Sequence, residues 1–382
     1  MDKPPKRILH VFRSPIGGLF RHVLDLAREQ AVRGCEVGLF FDSLTENART
    51  GQLLEEVAPH LALGITRTPM KREPGLGDIR ALRMLARLQR KVEAHVLHGH
   101  GSKGGAYARG LSRSARAGAV TAYTPHGGSF HFKPGDLRHH LYMAAERFLG
   151  RRTDVFLFES RYVARCFEEF VGQSDRPAFI VHNGLHPHEF EPVEPAAERF
   201  DLLFIGEMLL AKGVDTLLEA LAMIRERRGD APTLLAVGSG PDRERIEEMA
   251  RALGIADTVV FEGPQPIRAA LSRARVMAMP SRAESLPYVV LEAAAAGRPI
   301  VATNVGGVPE ILAPVAGDLI APGDAPALAR ALLARLGEQD VDANERAERV
   351  RDYLRDNFSV ARMTDAVLAG YEAGATRRRM TR

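Results

Sequence analysis

Short apolar runs alternate with amphipathic stretches along most of the chain. RILHVF (7–12) reads as a strand. LFRHVLDLAREQAVRG (19–34) follows at helical spacing, with Leu19, His22, Val23, Leu26, Ala27 and Gln30 on one stripe and Gly34 as its stop. EVGLFF (36–41) reads as a second strand, which completes a βαβ unit with the turn SPIGG at the first strand's carboxyl end. AHVLHGH (94–100), AVTAYTPH (119–126), DVFLFES (154–160) and AFIVHNG (178–184) continue the series, each beside a helical segment. The pattern breaks in EFEPVEPAAER (189–199) and restarts at DLLFIG (201–206). TLLAVGSG (233–240), TVVFEG (258–263), VMAMPS (276–281) and PIVATN (299–304) follow, separated by helices. Such alternation predicts an α/β chain of two doubly wound, Rossmann-like parallel sheets facing a cleft. The predicted division is an N-terminal, acceptor-binding domain over 1–188, a linker over 189–200 and a donor-binding domain over 201–360. Residues 361–382 are expected as a C-terminal helix and basic tail packing back toward the first domain. Ligands of such sheets bind beyond the strands' carboxyl ends.

A length of 382 residues suits two domains, and 45% apolar with 26% charged residues is a globular composition. No apolar run reaches the roughly 18 residues that span a bilayer. MDKPPKRILHVF has no cleavage-site pattern, and Cys35 and Cys166 form neither a disulfide framework nor a ligand cluster. A reducing cytoplasmic setting is the expectation. The net charge of +4 conceals an asymmetry, because residues 1–185 hold 28 Lys and Arg against 18 Asp and Glu, and the remainder 24 against 30. A basic half points to an anionic partner. No nucleic-acid-binding motif accompanies it, so no nucleic acid is expected, whereas an anionic membrane surface or lipid phosphate stays open. RALRMLARLQRK (80–91) fits this, with Leu82, Leu85 and Leu88 on one stripe and Arg80, Arg83, Arg87, Arg90 and Lys91 around it. It reads as a solvated face or as a peripheral membrane contact at the inner face of the plasma membrane, and Arg109, Arg113 and Arg116 add to the same half.

The chemistry concentrates in AESLPYVVLEAAAAGRPIV (283–301), an apolar helix carrying Glu284 at its entrance and Glu292 eight positions on. Pro287, which has no N–H of its own, is tolerated in a first turn, and the free N–H groups in the stretch from Leu286 to Val289, Tyr288 among them, make an anion site helped by the helix dipole. Two acids beside a phosphate are tolerable when each holds hydroxyl groups to either side of it. Eight helical residues span about 12 Å, enough to put one carboxylate at a sugar and the other at a ribose.

PSRAESLPYVVLEAAAAGRPIVATNVGGVPEIL (280–312) resembles the E-x7-E signature of the family 4 retaining glycosyltransferases, whose fold is GT-B. GGLFRHVLDLA (17–27), HGHGSKGGAYA (98–108), TPHGG (124–128), HNGLHPHEF (182–190), KGVDTLLEAL (212–221) and VGSGPDRERIEEMARALG (237–254) extend the resemblance in order over roughly residues 7–370. The wording is similar to bacterial members that build exopolysaccharide or lipid-linked glycans. The resemblance implies a nucleotide-diphospho-sugar donor, a glycan or polyprenyl-linked acceptor, no cofactor and no metal. It implies that Glu284 meets donor-sugar hydroxyls, that Glu292 meets the nucleotide ribose, and that His126 faces the donor sugar. Lys212 would neutralise the leaving diphosphate, which the backbone at Gly17 and Gly18 would approach. Gly238 and Gly263 lie in loops expected to meet the nucleoside.

One departure stands out. Where relatives commonly carry a phosphate-binding Arg, this chain reads GEMLLAKG, with Glu207, Met208 and Leu209. Arg13 and Arg282 are the candidate replacements. Other signals are weaker. GSKGG (101–105) lacks the order of a P-loop and reads as a close-approach turn. Asp340–Val341–Asp342 spells DxD away from any strand end, and His98 and His100 share a strand face without an evident third ligand. A sugar-nucleotide 2-epimerase-like isomerase and a non-catalytic nucleotide-sugar-binding partner remain as alternative readings.

Overall fold

The computed structural model describes residues 7–128 and 136–380, the side chain of residue 340 excepted. The extreme N-terminal residues read above for a leader and the last two residues of the basic tail lie outside the described residues. The chain forms two compact units, one running through Gly184 and resuming at Val360, the other Leu185–Ser359.

The first unit contains seven strands: β1 (Arg7–Val11), β2 (Glu36–Asp42), β3 (Gly64–Thr68), β4 (Val96–His100), β5 (Val120–Thr124), β6 (Val155–Phe158) and β7 (Ala178–Ile180). They pair in the order β3-β2-β1-β4-β5-β6-β7, every pairing parallel. Helices cover both faces of the central strands, and β4 and β5 are buried along their whole length. The second unit contains β8 (Phe200–Ile205), β9 (Leu234–Val237), β10 (Val259–Glu262), β11 (Ala274–Met279) and β12 (Ile300–Ala302). Their order is β10-β9-β8-β11-β12, again all parallel. Strand order reverses direction between β1 and β4 in one sheet and between β8 and β11 in the other. Those are the points at which loops from adjacent strands part and leave room for a ligand.

Three local readings change. Residues 189–200 are no free linker, since Pro187–Phe190 is a short 3-10 helix, Phe190 is buried in the second unit's core, and Arg268 donates to the carbonyls of Glu189, Glu191 and Pro192. The GSKGG stretch opens a helix, Gly101–Gly110, rather than a turn. The helix containing residues 80–91 runs Leu76–Val92 and buries Ala81, Leu85 and Gln89 most deeply, with Leu82 and Leu88 half-buried against the same core, so the inward face is wider than the leucine stripe. Gln89 sits inside because its amide donates to the carbonyls of Ala94 and Arg116, at 2.9 and 3.2 Å.

The basic half is also less exposed than its composition suggests. Arg109 is fully buried and bidentate to Glu146, at 2.8 and 3.2 Å, with its guanidinium 3.5 Å from the Tyr123 ring centre. Arg116 is buried as well. The tail residues lie in the helix Val360–Met380, where Arg378 meets Asp154 at 3.0 Å and Arg377 pairs with Asp175. That helix buries Val360, Met363, Val367 and Tyr371 in the core of the first unit. Among the described residues no helix is long and apolar enough to cross a membrane.

Candidate functional site

At the switch point of the second sheet, the loop after β8 carries Lys212 and the loop after β11 carries Glu284. The Lys212 ammonium lies 2.7 Å from Glu284 Oε1, and the Ser281 hydroxyl donates to the same oxygen at 2.8 Å. Glu284 is buried, with only 9% of its surface exposed, whereas Lys212 is half-buried. Ser281 is itself fixed through its carbonyl, which accepts from the Thr303 hydroxyl at 2.6 Å. Two glycines let the backbones close around this pair. A Cβ on Gly306 would stand 1.9 Å from the Glu284 carbonyl, and one on Gly213 1.9 Å from the Pro280 carbonyl, with φ of +58° and +70°. No other residue type satisfies both the left-handed backbone and the contact.

The helix after Glu284 is Tyr288–Ala295, with Pro287 as N-cap, no side-chain cap and no acid in its first turn. No acid of that first turn opposes the positive end of the helix dipole. Leu286 and Tyr288 are buried, Pro287 and Glu292 half-buried. The β8 and β9 ends meet where Gly238, at φ +147°, lets its backbone touch Gly206; Gly263, after β10, is exposed.

The replacement cations separate clearly. Arg282 is bidentate to Asp215 at 2.7 and 2.9 Å and donates to Thr216 at 2.8 Å, so its charge is spent holding the β8 loop. In the GEMLLAKG stretch, Met208 is fully buried and Glu207 exposed. Arg13, in the first unit, is half-buried against a cavity of about 510 Å³, and among the described residues its guanidinium has no partner.

That cavity lies at the first sheet's switch point, lined by Arg13 and Ser14 after β1, His100 and Ser102 at β4, and His126 after β5. Gly17, at φ +67°, and Gly18 are exposed at the start of the helix Gly17–Val32, which also lacks a side-chain cap and an acid in its first turn. His126 has φ +52°, a conformation that costs a non-glycine residue about 1–3 kcal/mol and persists where the surroundings enforce it.

Behind the half-buried His126 lie four buried histidines, His10, His98 and His100 on strands and His22 on the helix Gly17–Val32, which the sequence did not bring together. His100 Nδ1 lies 3.1 Å from His126 Nε2, His100 Nε2 lies 2.9 Å from His10 Nδ1, and His10 Nε2 lies 2.9 Å from Gln30 Oε1. Gln30 Nε2 donates to the Tyr371 hydroxyl at 3.4 Å, which meets His98 Nδ1 at 2.8 Å, and His98 Nε2 meets Thr124 at 2.9 Å. The amide orientation sets every tautomer. Gln30 Oε1 accepts from His10, so His10 Nδ1 accepts from His100, and His100 Nδ1 accepts from His126. Burial pushes His10 and His22 down to about 4, and holds His98, His100 and His126 well below the usual histidine range. All five are neutral at pH 7. The sequence signal was the placing of His22 and Gln30 on the apolar stripe of their helix. His98 and His100, expected without a further ligand, in fact adjoin His10, His22 and His126.

Comparison with known proteins accords with this architecture. Residues 16–189 match the family model described as Glycosyltransferase Family 4, and residues 199–338 the model described as Glycosyl transferases group 1. A GDP-mannose-dependent alpha-(1-6)-phosphatidylinositol monomannoside mannosyltransferase of Mycobacterium tuberculosis is 36% identical over 185 residues, 43% of this chain and 47% of that protein. A 2-deoxystreptamine glucosyltransferase of Streptomyces kanamyceticus is 31% identical over 253 residues, 62% of this chain and 65% of that protein. The match thus spans about half to two thirds of these curated relatives. Among solved structures, sucrose-phosphate synthase from Thermosynechococcus elongatus superposes with a TM-score of 0.77 at 21% identity, covering 98% of this chain and 99% of that one. Anabaena HepE in complex with UDP gives 0.77 at 18% identity, covering 94% and 98%. These two likenesses establish the fold.

Proposed function

The chain belongs to the family 4 glycosyltransferases and has the GT-B fold, and on that footing we propose that it moves a sugar from a nucleotide-diphospho-sugar to a glycan or lipid-linked acceptor. The observation that carries this reading is the Lys212–Glu284–Ser281 group at the β8/β11 switch point, beside an uncapped helix N-terminus. An ammonium and the positive end of a helix dipole suit a diphosphate leaving group. A buried carboxylate, with Ser281 and Lys212 on one oxygen, keeps its other oxygen for sugar hydroxyls. Glu292 is assigned to the ribose, and Gly238 and Gly263 to the nucleoside loops. In the first unit, Gly17, Gly18 and Arg13 are assigned to phosphate and His126 to the donor sugar. The mannosyltransferase relative is named for GDP-mannose and the HepE structure holds UDP, which supports a nucleoside diphosphate donor.

Transfer is read as retaining and metal-independent at the diphosphate, with charge stabilised by Lys212, Arg13 and helix N–H groups. The acceptor is read as part of polysaccharide or lipid-linked glycan assembly at the inner face of a membrane. Leu137, Leu141 and Phe148 are exposed on the helix Leu137–Gly150, next to Arg138 and Arg151. Leu76 and Ile79 are exposed on the helix that carries Arg83, Arg87 and Arg90. Apolar side chains within a basic field favour peripheral contact with anionic lipid. The test is a transfer assay with nucleotide sugars and lipid-linked or glycan acceptors, the anomeric configuration of the product being read by NMR. Acceptor-dependent release of nucleoside diphosphate with retained configuration is expected. Conversion of donor without acceptor would instead mark an isomerase, and donor binding without consumption a binding partner.

A further inference from the structure

His22, His100 and His126 approach one another from a helix, the end of β4 and the loop after β5, with a ring nitrogen of each within 4.8 Å of the others. His22 is the odd member. Its Nδ1 lies 3.0 Å from Asn183 Oδ1, which as an acceptor fixes the hydrogen on Nδ1 and leaves Nε2 bare. That Nε2 is fully buried and has no partner among the described residues. A buried acceptor left without a hydrogen bond keeps its desolvation cost uncompensated. The ring is set edge-on to His126, with centres 4.8 Å apart.

A second trio, His10, His98 and His100, lies equally close, but both nitrogens of His10 and both of His98 are already satisfied, by Gln30, His100, Tyr371 and Thr124. Only the first trio has a bare nitrogen without a use. We infer that His22, His100 and His126 form a site for one divalent transition-metal ion of the zinc type. Its ligands are neutral imidazoles with no carboxylate among them, a set that suits zinc, cobalt or nickel and not calcium or magnesium.

The surroundings are those a metal-binding histidine requires. His22 gives its other ring hydrogen to Asn183, and His100 gives its own to His10, which passes the same orientation on to Gln30. His100 and His126 also line the cavity, which leaves the fourth position to water. Bonds of about 2.1 Å at tetrahedral angles hold ligand nitrogens about 3.4 Å apart, so the His100–His126 pair, now at 3.1 Å, opens slightly on binding. Binding shifts the His126 ring hydrogen from Nε2 to Nδ1, so the nitrogen without a described partner changes from acceptor to donor. The ion site stands without the proposed transferase reading; its effect on the sugar contact of His126 rests on that reading.

The experiment titrates Co²⁺ into the purified full chain at pH 7, follows its visible absorption, and then displaces it with Zn²⁺. One tetrahedral ion per chain is expected, with a Zn²⁺-dependent rise in melting temperature. His126→Ala, at the half-buried rim, and His22→Leu should abolish the spectrum, and Asn183→Ala should weaken affinity about 10–100-fold. A variant lacking the His186 and His188 rings, which stack 5.7 Å apart in the second unit, should bind as before. No saturable uptake by the wild type, or uptake that survives in His126→Ala, would overturn the site. Should His22→Leu fail to fold, His126→Ala decides alone.

Discussion

Lys212 and Glu284, 72 residues apart, meet at 2.7 Å across the point where the second sheet reverses its strand order. Neither side chain is there for the core. Lys212 has water on one side, and Glu284 is held by Ser281 from behind. Lys212→Met should therefore lower transfer by about 10²–10³, the cost of losing a donor to a developing anion. It also strands a buried carboxylate, so stability should fall. The double variant Lys212→Met/Glu284→Gln should recover stability but not transfer, which chemical unfolding and turnover together would reveal.

Gly306→Ala tests the frame of the site rather than its charges. The new Cβ meets the Glu284 carbonyl at 1.9 Å in a left-handed backbone. A loss of about 1–3 kcal/mol from backbone strain is expected, together with weaker donor binding in calorimetry. Unchanged donor affinity would show that the Glu284 backbone position is immaterial.

Arg13 and Arg282 should part company. Arg282 is bound to Asp215 on an open surface, and exposed pairs of this kind contribute about 0–1 kcal/mol. Arg282→Ala should barely alter turnover, while Arg13→Ala should reduce it by about 10² or more. Equal effects in a steady-state comparison would remove Arg13 from the phosphate role.

Most of the sheet architecture was legible because strands buried on both faces are dominated by apolar residues, as in RILHV and FDLLFI. β3, GITRT, went unread because this edge strand is only partly buried and half polar. Spacing marked Glu284 and Glu292, and motif order marked Lys212. Arg109 was misjudged as surface charge, since nothing local shows that Glu146, 37 residues on, neutralises it. The five histidines come from four separate segments between residues 10 and 126, too far apart for any spacing rule.

Burial of those histidines makes stability fall in mild acid. His10 and His22 drop from 6.5 to about 4 in the folded chain, so below pH 6.5 the unfolded state takes up protons that the native state refuses. Their contribution is intact above the unfolded value and is lost progressively as pH falls from 6.5 toward about 4, roughly 3 kcal/mol for each. His98, His100 and His126 shift in the same direction and steepen the decline. Urea midpoints measured from pH 8 to about 4 should show it, and His10→Gln should flatten the slope.

The central claim is that the Lys212–Glu284 group receives the donor. Calorimetric titration of UDP- and GDP-linked sugars into the wild type and Glu284→Gln addresses it most directly. Saturable binding of a nucleotide sugar by the wild type, weakened at least tenfold in a folded Glu284→Gln chain while the free nucleoside diphosphate still binds, is the expected result. Equal affinity of both chains for the nucleotide sugar would contradict the account.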